Sequence, residues 1–265
     1  MMTPPHRSFP QPPLKPRLQA VVSWGSFGVL LLYSAWSTGF SFPVLVQGIP
    51  DFVRFFGNMW PPDWRALPEI ITPLVETLQT AYLGTVFGTL LAMPLIFLSS
   101  RNTTPNGPLM WLVRGGLTVV RSVPDLLYAA VLVGILSFGP LPGMIALVIF
   151  TTSVLAKLGS ETVEAIDPGP LEALQAVGAN RLQQIVYGVI PQVSATLTSY
   201  VLYIFEINVR ASTVLGFVGA GGIGQLLRRY LSFFDYQGTA VLLLIVFGVV
   251  LIIDSLSAYL RTKLI

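Results

Sequence analysis

Cysteine is absent from these 265 residues, and histidine occurs once, as His6 in a proline-rich leader. No disulfide framework and no thiolate metal site can therefore form within the chain. A single histidine likewise builds no histidine-based metal or catalytic cluster. Charge is scarce as well: 10% of the residues are charged, against about 25% in an ordinary soluble domain. The net charge of +3 is too small to point to a nucleic-acid partner. The phosphate-cradling pattern G-x-x-x-x-G-K-[ST] is missing, so any ATP hydrolysis tied to this chain belongs to another polypeptide. What the chain has instead is 53% hydrophobic residues, which places it among polytopic membrane proteins before any motif is read.

A helix rising 1.5 Å per residue needs about 20 residues to cross a hydrocarbon core of about 30 Å. The stretches 18–40, 74–98, 117–138, 142–161, 189–209 and 239–261 reach that length and predict an all-α fold with six spans. The third is carried back to Leu117 because 124–138 alone would reach only about 22 Å. That places Arg121 inside the helix, near enough to its end to snorkel to the headgroups, and leaves Arg114 in an interfacial lead-in. Arg121 and Asp125 then stand four apart across Pro124. Residues 1–17 read as a disordered tail, 18–72 as a first span with an outer loop, and 73–265 as the main transmembrane domain. A basic leader before an apolar run also fits a signal peptide. The run is longer than the usual h-region of about 7–15 residues and lacks a small-residue cleavage site, which favours a retained span.

Arg7, Lys15 and Arg17 precede the first span, Arg101 and Arg114 follow the second, and Arg261 and Lys263 close the chain. Arg181 lies between the fourth and fifth spans. With six spans all of these fall on one side, which the positive-inside rule makes cytoplasmic together with both termini. On the opposite side, Arg54 and Arg65 in the 43–72 loop are outnumbered by Asp51, Asp63 and Glu69.

A polar island, KLGSETVEAIDPGPLEALQAVGANRLQQIVYGVIP at 157–191, interrupts the apolar runs. Asp167-Pro168-Gly169-Pro170 opens a short helix with Leu171, Leu174 and Val177 along one face, since proline suits the first helical turn. Gly178 can close it in the left-handed conformation. Asn180 with Gln183 three residues on forms a capping pair for a second helix that runs toward Pro191. A rigid helical hairpin between spans has little to offer lipid and reads as a docking surface.

Glu172-Ala173-Leu174, then Gly178, then Ile190-Pro191 resembles the "EAA" loop of type I binding-protein-dependent ABC importer permeases. Leu174 stands where that pattern usually has a second alanine, Gly188 where isoleucine is usual, and Ile190 where leucine is usual. From about Thr151 to Gly224 the chain is similar to the phosphonate/phosphite permease branch. The resemblance implies the type I fold with a cytoplasmic coupling loop at 159–191. Glu172, Ala173, Leu174, Gly178, Asn180 and Arg181 would couple to an ATPase. It also implies two permease subunits, alike or closely related, around one pore. Two ATPase subunits that bind ATP and Mg²⁺, an external solute-binding protein and a phosphonate or phosphite cargo would complete the system. No cofactor is expected in the chain itself.

Residues 211–227 are apolar but short and glycine-rich, and read as a re-entrant or interfacial element shielded from lipid. The resemblance places a gate loop there. Gly219, Gly221, Gly222 and Gly224 also match G-x-G-x-x-G, yet an apolar span rather than a soluble strand precedes them, and the nearest acid, Asp235, follows Gly224 by 11 residues rather than about 20. Tight packing in a gate loop is the better reading. Glu206 and Arg210 share a helical face with Asn208 between them, in the order that favours an ion pair. Two readings stay open: neutralisation that permits burial in the membrane, or a place on the translocation path where Arg210 meets an oxyanion. Gly84 and Gly88 form a G-x-x-x-G that permits close helix approach. A permease of the same architecture for another solute, such as methionine, and an ion-coupled carrier are the remaining alternatives. The latter would call for internal repeats, and none is clear.

Overall fold

The computed structural model describes residues 14–264, and every described element is helical. The disordered tail expected at 1–17 falls outside these residues as far as 13, and a helix begins at Leu14. The chain forms two compact units, 1–57 and 58–265. In the first, α1 (Leu14–Ser37) is followed by α2 (Phe42–Gln47) and α3 (Ile49–Asn58), so much of the expected outer loop is helical.

The second unit is built on α4 (Leu67–Ser99) and α7 (Pro140–Glu164), packed against each other over most of their length. Small residues recur along the buried face of α4, from Thr77 through Ala81, Gly84, Gly88 and Ala92. A Cβ on Gly84 would lie 2.6 Å from Leu147 Cβ, and one on Gly88 would lie 2.4 Å from Thr151 Cβ. The G-x-x-x-G is therefore a close seam between α4 and α7, where missing side chains let the two backbones approach. Thr152 Oγ1 donates to the Gly88 carbonyl at 3.2 Å across it.

The third span departs from expectation. It is two helices, α5 (Gly107–Ser122) and α6 (Asp125–Leu136), bent by 82°. Pro124 pushes Val123 out of the helical region (φ −94°, ψ 125°), because the proline ring crowds the preceding residue. Arg121 and Asp125 consequently sit on different helices, and no ion pair joins them among the described residues. Arg114 lies inside α5, where it pairs with Glu164 at the end of α7 and donates from Nε to the Ser99 carbonyl at 2.6 Å. At the other end, Ala129 and Val133 of α6 pack with Ala146 and Leu147 of α7. Among the described residues, counting this broken pair as one span gives six candidates, and without it five.

After α7 come α8 (Gly169–Ala176), α9 (Arg181–Gln183), a π-helical turn at Gln184–Val189, and α10 (Ile190–Leu215). The last is about 39 Å long. α11 (Gly222–Ser232) and α12 (Tyr236–Leu264) complete the chain. One apolar cluster (Ile96, Leu155, Val163, Leu171, Val189, Val193) ties the hairpin to the bundle. Another, at the far end, holds Ile70, Ile223, Leu226 and Val241.

Candidate functional site

The hairpin at 165–191 is closed by its own backbone chemistry. Gly178 has φ +79°. Its N–H bonds to the Gln175 carbonyl at 3.0 Å, and Ala179 N–H reaches the Leu174 carbonyl at 2.9 Å, the paired bonds of a Schellman turn. Asn180 then caps the next helix: its Oδ1 accepts from Gln183 N–H at 2.9 Å while Gln183 Oε1 accepts from Asn180 N–H at 2.8 Å. Arg181 donates to the Thr103 carbonyl at 3.3 Å and fastens the hairpin to the loop after α4.

Leu171 is buried and Leu174 half-buried, both against the π-helical turn. A Cβ placed on Gly188 would lie 3.0 Å from Leu174 Cδ1 and 3.2 Å from Leu171 Cδ1. Two of the three departures from the usual pattern thus touch each other: a large residue at 174 occupies the space that a small one at 188 vacates. Val177 does not share this face. It is 80% exposed and joins Glu172, Ala173, Leu182 (74%) and Tyr187 (70%) on the outer surface. Leu182 and Tyr187 escaped the sequence reading, which followed the first helix and its caps. An outward leucine at the start of the second helix was the available signal.

At the opposite end of α10, Gly216–Val218 forms a single 3₁₀ turn before α11. Ala211–Leu215 still belongs to α10, so the glycine-rich segment 211–227 is a helix end, a turn and a short returning helix. Gly219, Gly221 and Gly222 all have positive φ. At Gly221 a Cβ would meet Glu76 Oε1 at 2.3 Å, so both the backbone angle and the space demand glycine. Glu76 Oε1 accepts from Gly222 N–H at 3.1 Å, and Thr77 Oγ1 accepts from Ile223 N–H at 2.8 Å. Gly219 carbonyl accepts from Gly139 N–H at 3.0 Å in the turn between α6 and α7. Gly224 packs on the α10 backbone, where a Cβ would lie 2.0 Å from the Thr213 carbonyl oxygen. Tyr230 donates to Glu69 Oε2 at 2.8 Å. Burial raises its phenol above 10.0, so it remains a donor at neutral pH.

Glu206 and Arg210 pair at 2.5 Å, as the spacing predicts, but they belong to a larger group. Arg210 also reaches Asp254 Oδ2 at 3.4 Å, and Arg261 reaches Glu206 Oε2 at 3.2 Å. The four side chains alternate in sign between α10 and α12. A lone acid inside the last apolar run was the signal for Asp254. Asn208 is not part of this group. It is fully buried and donates to Thr85 Oγ1 and Thr151 Oγ1, each at 2.8 Å, bridging α4, α7 and α10. Its Oδ1 has no hydrogen-bond partner among the described residues.

A bundle of apolar helices, with a capped hairpin at one end and a glycine-pinned turn at the other, is the layout of a multi-pass membrane protein. The comparisons make the class specific. Residues 84–265 match the family described as binding-protein-dependent transport system inner membrane component, and the chain belongs to that family. It is 36% identical over 236 residues to the phosphite transport system permease protein PtxC of Stutzerimonas stutzeri, covering 89% of this chain and 86% of the other. It is 37% identical over 214 residues to the phosphate-import permease protein PhnE of Mycolicibacterium smegmatis, covering 80% of this chain and 40% of that one. Its fold is that of a chain in the inward-facing MetNI methionine ABC transporter, with a TM-score of 0.68 at 20% identity over 77% of this chain and 99% of that chain. The chain is thus the inner-membrane permease of an ABC transporter, and the chemistry of ATP belongs to its partners.

Proposed function

We propose that this permease imports a small phosphorus oxyanion, phosphite or a phosphonate, across the inner membrane. The observation that carries the reading is the 36% identity to a phosphite permease along nearly the whole of both chains. Two permease subunits enclose the pore, two ATPases bind ATP and Mg²⁺ beneath them, and an external binding protein delivers cargo. Both termini and the hairpin are cytoplasmic, in keeping with the Lys/Arg bias. The outer face of α8, with Glu172, Ala173 and Val177, seats in the ATPase. Its motion passes through Leu171 and Val189 into the core shared with α10.

The Gly219–Gly224 turn is the external gate, held by Glu76 and Thr77 of α4. Glu206 and Arg210 border the pathway, with Asp254 and Arg261 keeping the group neutral when no cargo is present. Stimulation of ATP hydrolysis tests the cargo. The reconstituted transporter is given its binding protein loaded with phosphite, methylphosphonate, phosphate or methionine. Stimulation by a phosphorus oxyanion is expected; stimulation by methionine alone would keep the architecture and reject the cargo.

A further inference from the structure

At the hairpin end of the bundle a cavity of about 170 Å³ opens between α4, α5 and α7. Arg114, Arg121 and Lys157 converge on it together with Trp111, and no acidic side chain lines it. Arg114 is held in place by Glu164 and the Ser99 carbonyl, and Lys157 by Glu161 at 2.8 Å. No carboxylate pairs with Arg121 among the described residues, and its side chain is exposed. Glu161 and Glu164 each pair with one of the three cations; Asp125 lines a neighbouring cavity with Arg121 but makes no ion pair with it among the described residues. The hydroxyls of Ser99, Thr118 and Ser160 donate to backbone carbonyls of their own helices. The charged donors free for a guest are therefore cationic.

Leu117 forms a wall of this notch and also of a second cavity of about 370 Å³. The second is lined mainly by aliphatic side chains, among them Leu91, Leu95, Val120, Val148 and Ile149. A cationic notch that adjoins an apolar groove has the polarity of a phospholipid: phosphate in one, acyl chain in the other. Trp111 (61% exposed) and Leu112 (73%) flank it on α5, as residues at a headgroup boundary do. Basic pockets between helices at the cytoplasmic end of a bundle suit anionic headgroups.

We infer that Arg114, Arg121 and Lys157 hold the phosphate of one anionic phospholipid whose acyl chain lies along Leu117 in the groove between α4, α5 and α7. The lipid links α5 to the end of α7 that leads into the hairpin. The inference does not depend on which cargo is imported.

Native mass spectrometry of the purified transporter tests it, by titration with phosphatidylglycerol and with phosphatidylcholine of the same chain length. The wild type is expected to prefer phosphatidylglycerol. Arg121→Gln should weaken that preference about fivefold, the share of one basic residue near an anionic surface, and Arg121→Lys should largely restore it. Leu117→Trp, which fills the groove, should weaken both lipids. Inorganic phosphate at millimolar concentration should leave the bound lipid in place. An unchanged preference in both Arg121→Gln and Lys157→Gln would overturn the site. Displacement of the lipid by inorganic phosphate would assign the notch to a free oxyanion and overturn the lipid.

Discussion

Restoring isoleucine at Gly188 and alanine at Leu174 tests whether these two positions compensate each other. A Cβ at 188 already lies 3.0 Å from Leu174 Cδ1, and isoleucine adds three more carbons to that space. Overpacking of this kind costs about 1–3 kcal/mol, offset by about 0.5 kcal/mol of helix propensity on leaving glycine. Leu174→Ala alone removes a half-buried contact and costs about 1–2 kcal/mol, below the range for a fully buried leucine. In the double variant the isoleucine occupies what the leucine leaves, so a coupling of about 1–2 kcal/mol between the two changes is expected. The thermal midpoints of the wild type, both single variants and the double variant, in one detergent, close the cycle. Each single variant should fall by about 2–6 °C, and the double variant should fall by about as much as one single variant rather than by the sum of the two. Losses that simply add would refute the packing argument.

Gly178→Val places a β-branched residue at φ +79°, with a cost of at least about 1–2 kcal/mol. It should uncouple ATP hydrolysis from uptake while membrane insertion, read by protease accessibility, stays normal. Gly88→Ala drives a Cβ to 2.4 Å from Thr151 Cβ and should lower the thermal midpoint through a loss of about 1–3 kcal/mol. Asn208→Ala removes two buried hydrogen bonds, a loss of about 2 kcal/mol, and should reduce stability before it alters cargo preference. Arg210→Ala and Arg210→Lys should both reduce the uptake rate, with the alanine lower; normal transport by both would remove Arg210 from the pathway.

The hairpin was the most legible part of the molecule because its signals are local. A proline at the first turn, a glycine at the end and an Asn–Gln pair three apart each act on the backbone within a few residues. The same locality explains the error at Val177: helical periodicity put it beside Leu174, but the Schellman turn ends the helix there and leaves it outward. The third span shows the opposite limit. Its apolar length predicted one helix, while the local effect of Pro124 on Val123 broke it and separated Arg121 from Asp125. The Glu206–Arg210 pair was visible as an i, i+4 spacing. Asp254 and Arg261 lie 44 and 55 residues from their partners, and no spacing rule reaches that far. Asn208 was grouped with its neighbours in sequence, although its position on the helix turns it toward the small-residue seam. That seam was present as Gly84 and Gly88, and only the tertiary contact distinguished it from a chance pattern.

ATP-driven uptake measures the central claim most directly. Proteoliposomes would hold this permease with its ATPase, the binding protein outside, and phosphite or methylphosphonate as labelled cargo. Accumulation that requires ATP within the compartment facing the hairpin, and that disappears in Gly178→Val, is the predicted result. Uptake of either anion that proceeds equally without ATP, or that is undiminished in Gly178→Val, would contradict it.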